Sequence, residues 1–122
     1  MAHSLPEALQ DLNDKQEAYK KALENGRVLK TTERATIATI AEFKGKISDL
    51  EKKLKDEEDP EARRRIFEEI EKLRKSIKNL EESLEKTRDE LAIAPLLVRF
   101  AAEDLAKAAQ ELINQINQLA GH

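Results

Sequence analysis

The sequence predicts an all-α fold, an antiparallel up-down-up-down four-helix bundle, and three observations support this prediction. Charged residues make up 39% of the 122 residues and aromatic residues only 3%, a composition typical of long or coiled-coil helices. Three glycines and three prolines leave little material for turns. Apolar residues recur three and four positions apart, as they do along one side of a helix. We therefore expect one domain, residues 1–122, built from a few long helices.

The first predicted helix begins at Ser4, which forms a capping-box pattern with Glu7. Asn25 and Gly26 favour a helix end, because both residues accept the left-handed conformation found there. Between these signals the apolar stripe advances in alternating steps of four and three, with Gln16 in one of its positions: Leu5, Leu9, Leu12, Gln16, Tyr19 and Leu23.

The second predicted helix repeats this rhythm on a different face. Its stripe lies about 130° from the first, counting about 100° per residue, so one straight helix would not bury both stripes against one neighbour. We therefore expect a break or a bend at Asn25-Gly26. The second stripe consists of Leu29, Thr36, Ile40, Phe43, Ile47, Leu50 and Leu54.

The third helix has the clearest start, with Asp59 as N-cap and Pro60 at the first helical position. Its stripe is a heptad pattern of Ile66, Ile70, Leu73, Ile77, Leu80, Leu84, Thr87 and Leu91. A fourth segment after Pro95 is apolar on half of its helical wheel, as in a bundle interior. The predicted helices span about 4–24, 28–57, 60–94 and 95–120, and the hairpin of the second and third helices should protrude slightly.

An alternative fold follows from the weakness of the signal at Pro95. The preceding residues offer no side chain that would cap or turn a helix, so a kinked continuous helix is the alternative interpretation. With the first two helices also in line, the chain would be a long kinked helical hairpin. Two such hairpins could exchange halves and form a swapped dimer.

Two groups of residues are candidates for a functional site. Ile93, Leu96, Leu97 and Phe100 form an apolar patch on the polar side of the fourth segment. The patch is either covered by the connection at Val28 and Leu29 or is a site for a protein partner. Gln16, Thr36 and Thr87 are polar residues within apolar stripes, where they could set the register of helix pairing or line a small ligand cavity.

The sequence offers little for catalysis. It has no cysteine, its two histidines are His3 and His122, and its three glycines are isolated. We expect no enzyme, no catalytic, cofactor-binding or metal-binding residue, and no cofactor. The 22 basic and 25 acidic residues are interleaved, which does not favour nucleic-acid binding.

The same pattern gives an expectation about membranes and location. The most apolar stretch, residues 91–102, contains Arg99 and Pro95, and the N-terminus lacks a signal-peptide pattern. We expect a soluble protein with no signal or transmembrane segment and no membrane contact, in a compartment that the sequence leaves open.

The central part of the chain resembles computationally designed helical proteins. Residues 44–91 contain "DEEDPEARRRIFEEIEKLRKSIKNLEESLEKTRDEL", with an Asp-Pro helix start, strong helix formers at exposed positions and paired Glu and Lys. The resemblance implies a non-catalytic engineered or designed bundle that serves as a scaffold or protein-binding module. The alternative is a natural helical interaction protein, of the secretion-chaperone or coiled-coil adaptor type, that uses the apolar patch near Pro95. Self-association is also compatible with the sequence.

Overall fold

The computed structural model describes residues 4–121 and contains two long helices. Helix α1 spans Leu5–Asp56 (52 residues) and helix α2 spans Pro60–Ala120 (61 residues). Residues 57–59 connect them, and the described part of the chain contains no strand. The all-α class is confirmed, and the chain is a helical hairpin. The predicted count of four helices is not supported. His3 and His122 lie outside the described residues.

The start of α1 is capped by Ser4. The backbone N–H of Glu7 donates to Ser4 Oγ over 3.4 Å, and the N–H of Ala8 donates to the Ser4 carbonyl oxygen over 2.9 Å. A hydroxyl at this position satisfies one of the first-turn amides, which have no carbonyl partner inside the helix. The sequence signal at Ser4 therefore marks the helix start correctly.

The predicted helix end at Asn25-Gly26 is wrong, because α1 continues through both residues and no residue there has a positive φ. We call the row of buried and half-buried positions along a helix its seam. Helix α1 continues because its seam keeps the same heptad phase on both sides of Gly26. The seam of α1 takes alternating steps of four and three without interruption: Ala8, Leu12, Lys15, Tyr19, Ala22, Gly26, Leu29, Glu33, Thr36, Ile40, Phe43, Ile47, Leu50 and Leu54. A glycine inside a helix costs only about 0.5–1 kcal/mol relative to alanine, too little to end it.

The predicted start of a fourth helix at Pro95 is also wrong, because Pro95 lies inside α2. Pro95 is exposed and lies off the seam of this helix. An internal proline costs about 3 kcal/mol, whereas burial of each large apolar side chain contributes about 1.5–3 kcal/mol. Several seam residues on either side of Pro95 therefore outweigh it. The seam of α2 consists of Ile70, Leu73, Ile77, Leu80, Leu84, Thr87, Leu91, Ala94, Val98, Ala101, Leu105, Ala108 and Leu112.

Two side chains stabilise the connection between the helices by capping the helix ends on either side of it. Asp59 caps α2, since its Oδ2 accepts from the N–H of Ala62 over 3.2 Å. Arg63 caps the end of α1, because its Nη1 donates to the carbonyl oxygens of Leu54 and Glu57 over 2.6 and 2.8 Å. The guanidinium thereby satisfies two carbonyls that have no amide partner inside α1. The Asp-Pro start predicted from the sequence is present.

The chain divides into two compact units, and unit 2 comprises residues 30–90. Its core is formed by the buried Ile40, Ile77 and Leu84, against which Phe43, Ile47 and Leu80 pack. Two ion pairs join α1 to α2 in this unit: Arg74 to Glu51 over 3.4 Å and Arg88 to Glu33 over 3.3 Å. Exposed pairs of this kind contribute at most about 1 kcal/mol each, so the apolar core is the main source of stability.

Unit 1 comprises residues 4–29 and 91–121 of the described chain. Its buried residues are Ala8, Leu29, Ala94 and Ala108. Three of these four are alanines, in contrast to the isoleucine and leucine core of unit 2. The fully buried side chains of unit 1 are therefore smaller than those of unit 2.

Candidate functional site

Unit 1 exposes most of the large apolar side chains that the described structure leaves open to solvent. Only Ile37 and Phe67 of unit 2 belong to this group. The members in unit 1 are between 47% and 64% exposed: Leu9, Val28, Ile93, Leu96, Leu97, Phe100, Ile113, Ile116 and Leu119. Contiguous exposed apolar surface on a folded protein typically marks an interaction site.

The exposure follows from small residues in the seam of unit 1. Seam positions in this unit include Ala8, Ala22 and Gly26 of α1, and Ala94, Ala101 and Ala108 of α2. Because the seam accommodates small side chains, the larger apolar residues lie beside it on the flanks. Such flanks are buried only when a further element packs on them.

The candidate patch predicted from the sequence lies on one of these flanks. Ile93, Leu96, Leu97 and Phe100, which we call the α2 patch, follow the i, i+3, i+4, i+7 spacing of one helix face. Their side chains are 48% to 55% exposed. The structure therefore brings all four together on an open surface.

The region of Val28 and Leu29 does not form the loop that would cover this patch. Both residues belong to α1; Leu29 is buried and Val28 is itself 52% exposed. Val28 instead adds to the exposed apolar surface of unit 1. The charged border of the α2 patch on its C-terminal side includes Glu103, which accepts from Arg99 Nε over 3.3 Å, and Asp104.

A second exposed apolar group lies on the opposite flank of unit 1. With seam residues at heptad positions a and d, the α2 patch occupies c, f and g, whereas Ile113 and Ile116 occupy b and e. Leu9 occupies an e position of α1. The sequence pattern does not predict this flank, because it places Leu9 in a buried stripe and Ile113 and Ile116 in a bundle interior. Counting heptads back from Leu54 would have shown that Ala8 takes the seam position.

The three polar candidates differ in burial, and Gln16 belongs to unit 1 whereas Thr36 and Thr87 belong to unit 2. Gln16 is exposed, and Thr36 and Thr87 are half-buried. Thr36 Oγ1 donates to the Thr32 carbonyl oxygen over 2.8 Å, and Thr87 Oγ1 donates to the Ser83 carbonyl oxygen over 3.0 Å. Since a hydroxyl has one proton, neither threonine has a donor left for the facing helix. Their role in helix register stays a prediction.

No group of three or more His, Asp or Glu side chains in the described residues is arranged to hold a metal ion. No helix in residues 4–121 combines the length and apolarity needed to span a bilayer.

The fold and this surface together define an all-α helical-hairpin protein with exposed apolar flanks in unit 1. No protein-family model, curated protein or solved structure matches the chain.

Proposed function

We propose that this chain is a non-catalytic, designed or engineered helical scaffold that binds a protein partner through the α2 patch. The observation that supports this function is the half-exposure of Ile93, Leu96, Leu97 and Phe100 on one helix face. Their spacing suits a partner helix that places its own apolar residues along the same two turns. Asp104 at the border favours a partner with Lys or Arg beside its apolar face, whereas Glu103 is already paired with Arg99.

The size of the patch indicates weak binding. Full burial of a large apolar side chain contributes about 1.5–3 kcal/mol, so four half-exposed ones contribute about 3–6 kcal/mol. Association costs at least about 4 kcal/mol in lost motional freedom. The α2 patch alone therefore supports transient binding, and tight binding requires further contacts outside it.

The scaffold that presents this surface is the hairpin rather than a four-helix bundle within one chain. Residues 4–121 of one chain contain two helices, so a four-helix arrangement would need a second copy. The swapped dimer suggested by the sequence is one such arrangement, but it requires each hairpin to open.

Binding through the α2 patch is tested with Leu96→Asp combined with Phe100→Asp. The probe is a fluorescently labelled amphipathic peptide with a Leu-rich face and flanking lysines, followed by fluorescence anisotropy. We expect the wild-type chain to bind and the variant to lose binding, because both substituted side chains are half exposed and belong to the patch. The matched control is Ile37→Asp with Phe67→Asp, which places the same charges on exposed apolar positions of unit 2. Equal binding by variant and control would contradict the proposal.

Designed and natural origins are distinguished by thermal melting. Idealised designs often melt above about 90 °C, whereas natural adaptors and chaperones melt at about 45–65 °C. We expect the high value, because unit 2 combines a continuous apolar seam with capping by Asp59 and Arg63. A melt in the ordinary range would favour the alternative, a natural helical interaction protein that uses the same patch.

A further inference from the structure

The flank of unit 1 opposite the α2 patch is free of charge over a long stretch. The two helices run antiparallel in a hairpin, so the e positions of both line the same side. Between residues 9–16 of α1 and 102–116 of α2, the e and b positions hold only uncharged residues: Leu9, Asn13, Gln16, Ala102, Ala106, Ala109, Ile113 and Ile116. In a chain with 39% charged residues, such a surface is the exception. We call it the uncharged flank.

The uncharged flank is suited to contact with an identical surface. It combines three large residues, Leu9, Ile113 and Ile116, with the small side chains of Ala102, Ala106 and Ala109 on the preceding turns of α2. In a symmetric pair the large residues of each copy can pack over the alanines of the other. No charge of one copy then meets a like charge of the other, a contact that would oppose self-association.

The exposed area of the whole chain is large enough for an interface of this kind. The chain exposes 9239 Å². Folded monomeric proteins of this mass, 13.9 kDa, expose about 6,700 Å². The surplus exceeds the roughly 800 Å² per partner that a stable interface buries. A second copy on the uncharged flank would remove part of this surplus from solvent.

We infer that a second copy of this chain packs on the uncharged flank, giving a symmetric dimer in which unit 1 of each copy contributes two helices. Each chain keeps its own α1–α2 pairing, so this dimer needs no exchange of halves. The α2 patch lies on the opposite flank and stays open for the partner of the proposed function. The two proposals therefore use different residues and can fail separately.

The first test is the mass of the full chain by light scattering behind size exclusion, over a range of concentrations. We expect the wild type to elute with twice the chain mass. Ile113→Glu with Ile116→Glu should raise the dimer dissociation constant by at least about a hundredfold, because each copy loses two buried contacts. The control, Ile37→Glu with Phe67→Glu, should stay dimeric. Circular dichroism checks that each variant keeps its helices.

Two outcomes of this test would overturn the inference. One is a monomeric wild type at the highest concentration. The other is a dimer that survives the changes at Ile113 and Ile116 but is lost in Leu96→Glu with Phe100→Glu, which would move the interface to the α2 patch.

A second measurement keeps the inference testable if the glutamate variants unfold. The chain contains no cysteine, so a single introduced thiol reports on one position. Ala106→Cys lies on the uncharged flank and Ala18→Cys at a g position on the opposite flank; both alanines are exposed. We expect alkylation of the thiol at position 106, relative to that at 18, to slow at least tenfold as the protein concentration rises into the dimeric range. A constant ratio of the two rates would refute a second copy on this flank.

Discussion

Replacement of Gly26 by alanine tests whether α1 is continuous at this residue. A rise in the melting temperature indicates a continuous helix, and a fall indicates a helix end. Gly26 lies within the helix and has no positive φ, and a Cβ built at this position meets no atom within 4 Å. Alanine should therefore add helix propensity without a clash. If Gly26 instead ended a helix in the left-handed conformation, the added Cβ would cost about 1–2 kcal/mol.

The expected change in Tm follows from helix propensity and chain length. Glycine is about 0.8–1.0 kcal/mol less favourable than alanine in a helix interior. The entropy of unfolding is about 2.1 cal/mol/K per residue, so for 122 residues a gain of 1 kcal/mol raises Tm by about 4 °C. We expect Gly26→Ala to raise Tm by about 3–4 °C.

Gly45→Ala is the matched control, because Gly45 also lies inside α1 with no atom within 4 Å of an added Cβ. Thermal melts of wild type and both variants, followed by circular dichroism at one fixed protein concentration, should show similar increases. A lower Tm for Gly26→Ala beside a higher Tm for Gly45→Ala would refute a continuous helix at residue 26.

Three further substitutions test other parts of the hairpin by the same melts. Pro95→Ala should raise stability by up to about 3 kcal/mol, because it restores a backbone donor inside α2; a loss of stability would indicate a turn at this residue. Arg63→Ala should cost about 1–3 kcal/mol, because two carbonyls at the end of α1 lose their donor, and an unchanged Tm would show that water replaces the guanidinium. Ile77→Ala should cost about 2–4 kcal/mol, because Ile77 is buried with Ile40 and Leu84. The exposed Ile37→Ala serves as its control and should cost well under 1 kcal/mol; equal costs would contradict this core.

The sequence predicted the helical class, the cap at Ser4 and the connection at Asp59-Pro60, because each depends on local chemistry. Which residues of α1 face α2 in unit 1 was not predicted. Pattern analysis favours large apolar residues and so followed Leu9 and Leu23, whereas the seam that continues into unit 2 passes through Ala8 and Ala22. A stripe of small residues is a weaker signal, although its unbroken heptad spacing was present in the sequence.

The candidate site could be predicted only in part. The α2 patch was identified as apolar residues on the wrong side of a helix, and its four residues do lie together on an exposed face. Whether other residues cover it depends on the path of the chain at Val28 and Leu29, which the sequence did not determine. The contact of Arg63 with the end of α1 likewise depends on how closely the chain turns back at residues 57–59.

The closure of the connection by Arg63 has a consequence for the order of folding. Contacts between the helices join residues that are increasingly distant along the chain: Arg63 and Leu54 are 9 residues apart, Arg74 and Glu51 are 23 apart, and Arg88 and Glu33 are 55 apart. Loop-closure entropy rises with this separation, so pairing should begin at the connection and proceed away from it. The helix ends in unit 1 pair last, and their amide hydrogens should exchange with solvent first. During folding, the exposed apolar flanks of unit 1 are thus the last surfaces to take their final form.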